Sequence, residues 1–326
     1  MVEDEWTEIA VFIHGITPGR EPGKKDDPGT LYGVLFENIQ KELVKQNKKK
    51  LDAAIKVIWN WHPDDDSPMF VDQSLAAAER LIGDRINERE QKISAVNRLH
   101  FFLWNTIYKI GRDIMLYGLA DAMYYVSHDG EKTVRDHVFK YLCDQIMDWL
   151  TQNNSGESRK ISLTVLGHSA GSLIAHDFLY QLFSNRTPKP TDVPELHQLR
   201  DMTVNIDKAL GDRSHARLRV RRLYTFGSPL APWFIRANSL LEKISKGEPL
   251  KIADLGLYAQ DGLSNPRWVN FWALTDVAAF PLNFLYDDQE AVEDQYVDAG
   301  LLFPGTHAAY WGLTKAKVAE HIARTF

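Results

Sequence analysis

The pentapeptide GHSAG at residues 167–171 constrains the fold of this chain more than any other feature. It follows the apolar run ISLTVL (161–166) and opens the segment GSLIAHDFLYQLF, whose apolar residues recur with a helical period. A buried strand, a tight turn and a helix are therefore predicted in this order, with Ser169 on the turn. Gly167 and Gly171 suit a place where strand and helix approach closely. The pattern indicates a strained turn that presents a serine hydroxyl above a sheet.

Short apolar runs alternate with helical patterns along the rest of the chain, which is typical of crossover connections around a parallel sheet. Strands are predicted at 9–13, 54–60, 161–166, 220–226 and 268–274, and near 295–297. Helices are predicted at 131–150 and 171–183, on either side of one strand. The expected fold class is α/β, a doubly wound, mostly parallel sheet of about six strands with a helical insertion.

The length of 326 residues suits two domains or one large α/β unit, and we predict a single domain over 1–326. Two intervals exceed the short loops of this class. The first, 61–130, is predicted as a helical insertion, either packed core or a cap or lid. The second, 184–217, holds three prolines and is predicted as a loop insertion.

Within the first insertion, residues 96–126 are the most apolar stretch of the chain. Its polar residues form one stripe on a helix, so the stretch predicts an amphipathic helix and not a membrane span. These polar residues are Arg98, Asn105, Lys109 and Arg112. The helix either packs on a core or lies over a site, where peripheral contact with a membrane is possible.

Charge and cysteine content narrow the functional class. Lys+Arg 38 against Asp+Glu 44 leaves a net charge of −6, which argues against a nucleic-acid-binding surface over the whole molecule. Cys143 is the single cysteine, so no internal disulfide forms. The start MVEDEWTEIA lacks the basic and apolar parts of a signal peptide, and a cytoplasmic location is predicted.

With its GHSAG turn the chain resembles the α/β-hydrolase superfamily, and within it the lipase and esterase branch. The resemblance implies an oxyanion hole made by two backbone N–H groups. One belongs to the residue after the nucleophile, here Ala170. The other belongs to a loop after an early strand, and VFIHGI (11–16) supplies such a loop with the HG pair common in these lipases. Ile16 is the expected second donor, with His14 and Gly15 beside the substrate.

A serine nucleophile needs a base, and the base needs an orienting acid, in the chain order Ser, Asp or Glu, His. Asp276 in WVNFWALTDVAAFPL is the predicted acid, because it follows an apolar strand at the end where open α/β sheets gather their active residues. The segment also resembles a lipase pattern in which Val and then Pro follow the Asp. The rivals are Asp254, Asp287, Asp288, Asp294 and Asp298, mostly in polar loop sequence.

For the base, two histidines follow Asp276, namely His307 and His321. His307 lies in FPGTHAAYW, a Gly/Pro loop that resembles the His-x-x-Tyr ending of many lipases. His321 lies in AKVAEHIARTF, a predicted helix on which a solvated surface histidine is the ordinary outcome. We therefore predict His307 as the base.

Three further features have weaker assignments. TFGSPL (225–230) resembles the lipase segment that walls the acyl site, so Ser228 is assigned to substrate binding, although a plain turn is the alternative. His168 belongs to the GHSAG pattern and is placed near the substrate without a role in proton transfer. A basic run attracts anionic lipid or phosphate, or forms a solvated strand edge. The run consists of Arg213, Arg217, Arg219, Arg221 and Arg222.

These residues predict a cofactor-independent serine hydrolase that cleaves a carboxylic ester of a small molecule or lipid through Ser169, His307 and Asp276. A thioesterase, an amidase or an acyltransferase would use the same residues, and a catalytically silent copy of the fold is a further alternative. The chain has no H-E-x-x-H motif, no Walker or dinucleotide glycine pattern and no thiolate cluster, so neither a metal nor a cofactor is predicted.

Overall fold

The structure is a computed structural model. It describes residues 6–15, 28–57, 135–151, 160–184, 193–203, 217–236, 246, 249–257, 265–298, 305–310 and 315–326. The predicted insertion at 61–130, with its amphipathic stretch 96–126, and the predicted oxyanion donor Ile16 lie outside these residues. None of the described helices is long and apolar enough to cross a lipid bilayer.

Strands and helices alternate along the chain. The strands are β1 (Thr7–Ile13), β2 (Ala53–Val57), β3 (Ile161–His168), β4 (Leu218–Phe226), β5 (Trp268–Trp272) and β6 (Val292–Tyr296). The helices are α1 (Pro28–Lys45), α2 (Asp136–Thr151), α3 (Ala170–Phe183), α4 (Pro194–Asp201), α5 (Leu230–Arg236), α6 (Gly305–Ala309) and α7 (Lys315–Thr325). Short 3-10 turns lie at Ile252–Leu255, Asn283–Leu285 and Gln289–Ala291.

The six strands form one sheet in the order β2-β1-β3-β4-β5-β6, and every neighbouring pair is parallel. The chain moves outward in one direction from β1 to β2 and in the other from β3 to β6. The predicted α/β, doubly wound sheet is therefore confirmed. The carboxyl ends of all six strands lie along one edge, where such sheets bind ligands.

Apolar side chains cover both faces of the sheet, because successive residues of a strand point to opposite sides. On one face Ile9 and Val11 of β1 pack with apolar residues of α2, α3 and α4. On the other face Ala10 and Phe12 pack with α1 and α7. Strands buried on both faces read as continuous apolar runs, which explains why ISLTVL is recognisable in the sequence.

Element boundaries differ from the predicted ones by a few residues. β3 continues to His168, β5 ends at Trp272, two residues before the predicted end, and the sixth strand is Val292–Tyr296 in place of 295–297. In the region predicted as a loop, 184–217, the structure contains helix α4. Leu196 and Leu199 of this helix are buried in the core, and its Pro194 occupies the first helical turn, where proline is tolerated.

The sequence predicts a solvated strand edge or an anion-binding segment for the basic run, and the prediction of a strand edge is wrong. β4 lies between β3 and β5 in the middle of the sheet. Its pairing with β3 shifts by one residue at Arg221, which places Val220 and Leu223 in the same apolar cluster. Arg222 is fully buried and donates to the Pro266 carbonyl, while Arg221 pairs with Glu8. Arg213 lies outside the described residues.

Candidate active site

The strand register aligns the segments that carry the predicted site residues. Ile13 of β1 pairs with Gly167 of β3, and Phe226 of β4 pairs with both His168 and Phe271. The residues that follow these strand ends therefore meet at the carboxyl edge. This edge holds His14, Gly15, Ser169, Gly227, Ser228 and Asp276.

Ser169 occupies a strained turn between β3 and α3. Its backbone has φ 51° and ψ −128°, a conformation that side-chain-bearing residues seldom adopt and that costs on the order of 1–3 kcal/mol. Its N–H donates to the Phe226 carbonyl at 2.9 Å. Such strain persists only where the surroundings hold the residue in place, and it is concentrated at functional sites.

Close packing around this turn explains the two glycines of GHSAG. A Cβ on Gly171 would lie 2.2 Å from the carbonyl oxygen of Ile13, and one on Gly167 would lie 2.8 Å from Cα of Ser172. A Cβ on Gly15 would lie 2.6 Å from Cβ of Ser169. The HG pair after β1 is therefore packed directly against the serine, as the expected oxyanion loop requires.

A buried chain of serines supports the turn from the side of the core. Ser172 Oγ donates to the carbonyl oxygen of Ser169 at 2.6 Å, and it also lies 2.8 Å from Ser228 Oγ. Ser228 has no exposed surface. The structure thus places Ser228, assigned to substrate binding, beneath the turn as a support for Ser172.

Asp276 and His307 form a buried pair. His307 Nδ1 lies 3.0 Å from Oδ1 and 2.9 Å from Oδ2 of Asp276, and the two residues are 8% and 2% exposed. The preceding residues are joined as well, because Thr275 Oγ1 lies 2.9 Å from Thr306 Oγ1. An imidazole that gives its Nδ1 hydrogen to a carboxylate has an unprotonated Nε2, which is able to accept a proton.

The carboxylate of Asp276 is stabilised in its charged form. Burial acts to raise the pKa of Asp276, but it is outweighed by the hydrogen bond and the electrostatic attraction from His307, together with hydrogen bonds from the Ala278 N–H and Tyr310, so that pKa is lowered. Tyr310 Oη donates to Oδ2 at 2.9 Å. Burial, together with the charge of Asp276, raises the pKa of Tyr310, so the tyrosine keeps its hydrogen.

Tyr310 belongs to the candidate site, and the sequence predicts no role for it. The signal was present in the His-x-x-Tyr spacing, which places a tyrosine one helical turn after His307. Only the fold shows that its hydroxyl turns to the same carboxylate that His307 contacts.

Contacts across the edge connect the Asp276–His307 pair with the turn of Ser169. Gly227 follows Phe226, whose carbonyl accepts from Ser169 N–H. A Cβ on Gly227 would lie 3.0 Å from Asp276 Oδ2 and from His307 Nδ1. His168 Nε2 lies 2.9 Å from the His307 carbonyl oxygen. The three residues predicted as nucleophile, acid and base therefore share one small region of the carboxyl edge.

The other predicted residues of this edge have defined positions too. His14 is buried, and its Nδ1 bonds with the Gly15 carbonyl, so its imidazole is engaged within its own loop. Ala170 is the first residue of α3, and the first N–H groups of a helix have no acceptor within the helix. The Ala170 N–H suits an oxyanion for this reason and because negative charge is favoured at a helix N-terminus.

The rival aspartates Asp287, Asp288 and Asp294 have structural partners. Asp294 accepts hydrogen bonds from the N–H groups of Leu282 and Asn283. Asp288 pairs with Arg267, and Asp287 accepts from the Ile252 N–H. These contacts hold the 3-10 turns and loops around β5 and β6 in place.

The expectation that His321 is a solvated surface histidine is wrong. His321 is only 8% exposed, because α7 packs this side against the sheet, and its ring lies edge-on to Phe271. Nε2 lies 3.1 Å from Glu293 Oε1, and Nδ1 accepts from Arg324 Nη2 at 2.7 Å.

Exposed apolar side chains occur in the segment that contains Asp276. Leu274 and Val277, the neighbours of Thr275 and Asp276, are 76% and 62% exposed. Phe280 and, in the 3-10 turn that follows, Phe284 are also exposed. Large exposed apolar side chains mark binding surfaces when they form a contiguous patch.

Across the part of the chain that the structure describes, no three His, Cys, Asp or Glu side chains are grouped to hold a metal ion. Comparison with known proteins finds no matching family model, no matching curated protein and no matching solved structure. The functional argument therefore depends on the chemistry of the residues at the carboxyl edge.

Proposed function

We propose that this chain is a serine hydrolase of the α/β-hydrolase type that cleaves a carboxylic ester. The observation that carries the proposal is the buried His307–Asp276 pair at the same edge as the strained turn of Ser169. A hydroxyl on such a turn, an imidazole oriented through Nδ1 and a carboxylate held in its charged form are the three parts of a serine nucleophile system.

In the proposed reaction, His307 Nε2 accepts the Ser169 hydroxyl proton as Oγ attacks the ester carbonyl carbon. Asp276 holds the imidazole in the required tautomer and stabilises the imidazolium that forms. The N–H of Ala170 donates to the developing oxyanion, together with a second donor expected at Ile16. The imidazolium then returns the proton to the departing alkoxide, and water releases the acyl group from Ser169 by the same steps.

An apolar acyl group is the proposed substrate part, because exposed apolar side chains occur in the segment that carries the acid, namely Leu274, Val277, Phe280 and Phe284. The Asp276 side chain among them is itself buried. Burying one such side chain against an acyl chain contributes about 1.5–3 kcal/mol. The proposed substrate is therefore a small or lipid-like ester. The cytoplasmic location stays a prediction from the sequence.

The test is Ser169→Ala, assayed on a soluble p-nitrophenyl ester and by labelling with a fluorophosphonate. The variant should lose about 10⁴- to 10⁶-fold in kcat together with all labelling, since the nucleophile and its base act as a unit. Ser184→Ala, a buried serine outside the site, is the matched control and should keep both.

Absence of labelling in the native protein would favour the silent-fold alternative and overturn the proposal. Labelling that persists in Ser169→Ala would show that another residue is the nucleophile. If native protein is labelled but cleaves thioesters or amides in preference to esters, the serine assignment stands and the ester assignment fails.

A further inference from the structure

His168, the residue before Ser169, makes a contact for which the proposed reaction has no use. Its Nε2 lies 2.9 Å from the backbone carbonyl oxygen of His307, and the centroids of the two imidazole rings are 4.9 Å apart. A carbonyl oxygen only accepts hydrogen bonds, so His168 donates through a hydrogen on Nε2. The contact joins residues that are 139 positions apart in the sequence.

We propose that His168 is a positioning residue, which holds the backbone of the base and so sets its place relative to Ser169. This inference rests on the proposed function, because it assigns the geometry of the same site. It replaces the expectation that His168 contacts the substrate.

The helix that carries His307 explains why such a contact matters. α6 has five residues, too few to be stable by its own hydrogen bonds. Bonds from Thr306, His307 and Tyr310 join this segment to the loop of Asp276. The bond from His168 joins it to the end of β3, one peptide unit from Ser169. Base and acid are thus tied to each other, and His168 ties them to the strand of the nucleophile.

The state of the His168 imidazole suits a constant structural bond. Burial lowers the pKa of His168 to about 3, and the neighbouring His307 acts in the same direction. The ring is therefore neutral throughout the range in which an esterase is assayed, and the donor on Nε2 is present at every such pH. A positioning role of this kind changes the rate without adding an ionisation to the pH profile.

The experiment compares His168→Leu, which removes the donor, with His168→Gln, which keeps an N–H donor. On a soluble p-nitrophenyl ester, His168→Leu should lose about 10- to 100-fold in kcat, the scale of a misplacement near 1 Å, with KM changed less than about twofold. Fluorophosphonate labelling should slow in proportion. His168→Gln should recover most of the rate, and the midpoints of the pH profile should not move in either variant.

His176→Leu is the matched control. His176 lies on α3 with Nε2 3.0 Å from Tyr286 Oη, and burial lowers its pKa to about 3 as well. The His176→Leu substitution makes the same chemical change as His168→Leu, but at a histidine that does not bond to the His307 carbonyl. An equal loss of kcat in His176→Leu, a kcat of His168→Leu within about twofold of native, or a shifted pH midpoint would each overturn the positioning role.

Two further outcomes are separable. Native protein without Ser169-dependent labelling would remove the proposed function itself, whereas native labelling with a fully active His168→Leu would remove the positioning role alone. If His168→Leu does not fold, ¹⁵N NMR of the native histidines decides the question. A hydrogen on His168 Nε2 is expected, and a hydrogen on Nδ1 with a bare Nε2 would overturn the inference.

Discussion

Two histidines of the last third of the chain each face a carboxylate, yet the two pairs use the imidazole in different ways. In the His307–Asp276 pair, Nδ1 of the imidazole lies within hydrogen-bond distance of both carboxylate oxygens. In the His321–Glu293 pair, Nδ1 accepts from Arg324 and the other nitrogen, Nε2, faces Glu293. Since Arg324 occupies Nδ1, the hydrogen of neutral His321 resides on Nε2, and neither nitrogen is able to accept a proton from a reactant.

The two carboxylates also differ in their burial and in the hydrogen bonds that they accept. The Asp276 side chain is fully buried and receives hydrogen bonds from Tyr310 and the Ala278 N–H, whereas the Glu293 side chain is 34% exposed. His307 lies on a short helix at the carboxyl edge, and His321 lies inside α7 against a face of the sheet. A nearby carboxylate alone therefore does not make a histidine a base. The partner of the second nitrogen and the position in the fold decide the role.

The largest expected effect separates the two histidines directly. His307→Ala should lose about 10⁴- to 10⁶-fold in kcat, close to the loss in Ser169→Ala, because it removes the proposed proton acceptor. His321→Ala should keep kcat within a few-fold per folded molecule. The measurement is ester hydrolysis normalised to folded protein by circular dichroism. Full activity in His307→Ala with loss in His321→Ala would reverse the comparison.

The two carboxylates provide the next test. Asp276→Asn should lower kcat by about 10⁴-fold, since an amide favours the wrong imidazole tautomer, and should retain more activity than His307→Ala. Glu293→Gln makes the same chemical change in the other pair and should leave kcat within about twofold. Equal losses in the two variants, measured on the same ester, would show that the pairs are not functionally distinct.

Tyr310→Phe should have a smaller effect, about tenfold in kcat. The substitution removes one hydrogen bond to a charged group, worth about 1.5–3 kcal/mol, while His307 and the Ala278 N–H still hold Asp276. Tyr224→Phe is the control, because Tyr224 is a buried tyrosine whose hydroxyl bonds to Ile322 and Thr325 of α7. A Tyr310→Phe variant with native kcat would show that the proposed role of Asp276 does not need the hydrogen bond from Tyr310.

The smallest expected effect is on the free energy of unfolding. The His321–Glu293 and His307–Asp276 pairs should change this free energy in different pH ranges. Burial lowers the pKa of His321 in the folded state, so His321 binds a proton in the unfolded chain at a higher pH than in the folded one. The stability that is present above about pH 6.5 is therefore lost as pH falls. Asp276 has a lowered pKa as well. Its contribution is present above about pH 3.8 and is lost only as pH falls through the lower native value.

Urea unfolding at stepped pH checks this difference. His321→Gln should flatten the loss of unfolding free energy below pH 6.5, by at most about 1.4 kcal/mol per pH unit. The difference between native protein and Asp276→Asn should stay constant from pH 7 to 5 and shrink below pH 4. A native-like slope in His321→Gln would contradict the assigned direction for His321.

Local patterns in the sequence were sufficient for the fold class and for the choice of Asp276 and His307, whose catalytic roles remain proposals. The apolar run before GHSAG predicts a strand buried on both faces, and its glycines predict close packing, because both depend on residues within one short segment. The parallel order of strands follows from the alternation of strands and helices.

Only the tertiary structure decided the contacts between distant segments. Local periodicity carries no information about which face of the sheet receives α7, so the burial of His321 could not be predicted. For the same reason, the sequence could not predict the burial of Arg222 in the middle of the sheet or of α4 within a proline-containing stretch. The hydroxyl of Tyr310 on Asp276 and the bond from His168 to the base likewise depend on segments that meet when the sheet assembles. Apolar spacing specifies each element separately, and polar partners are determined by the packing of those elements.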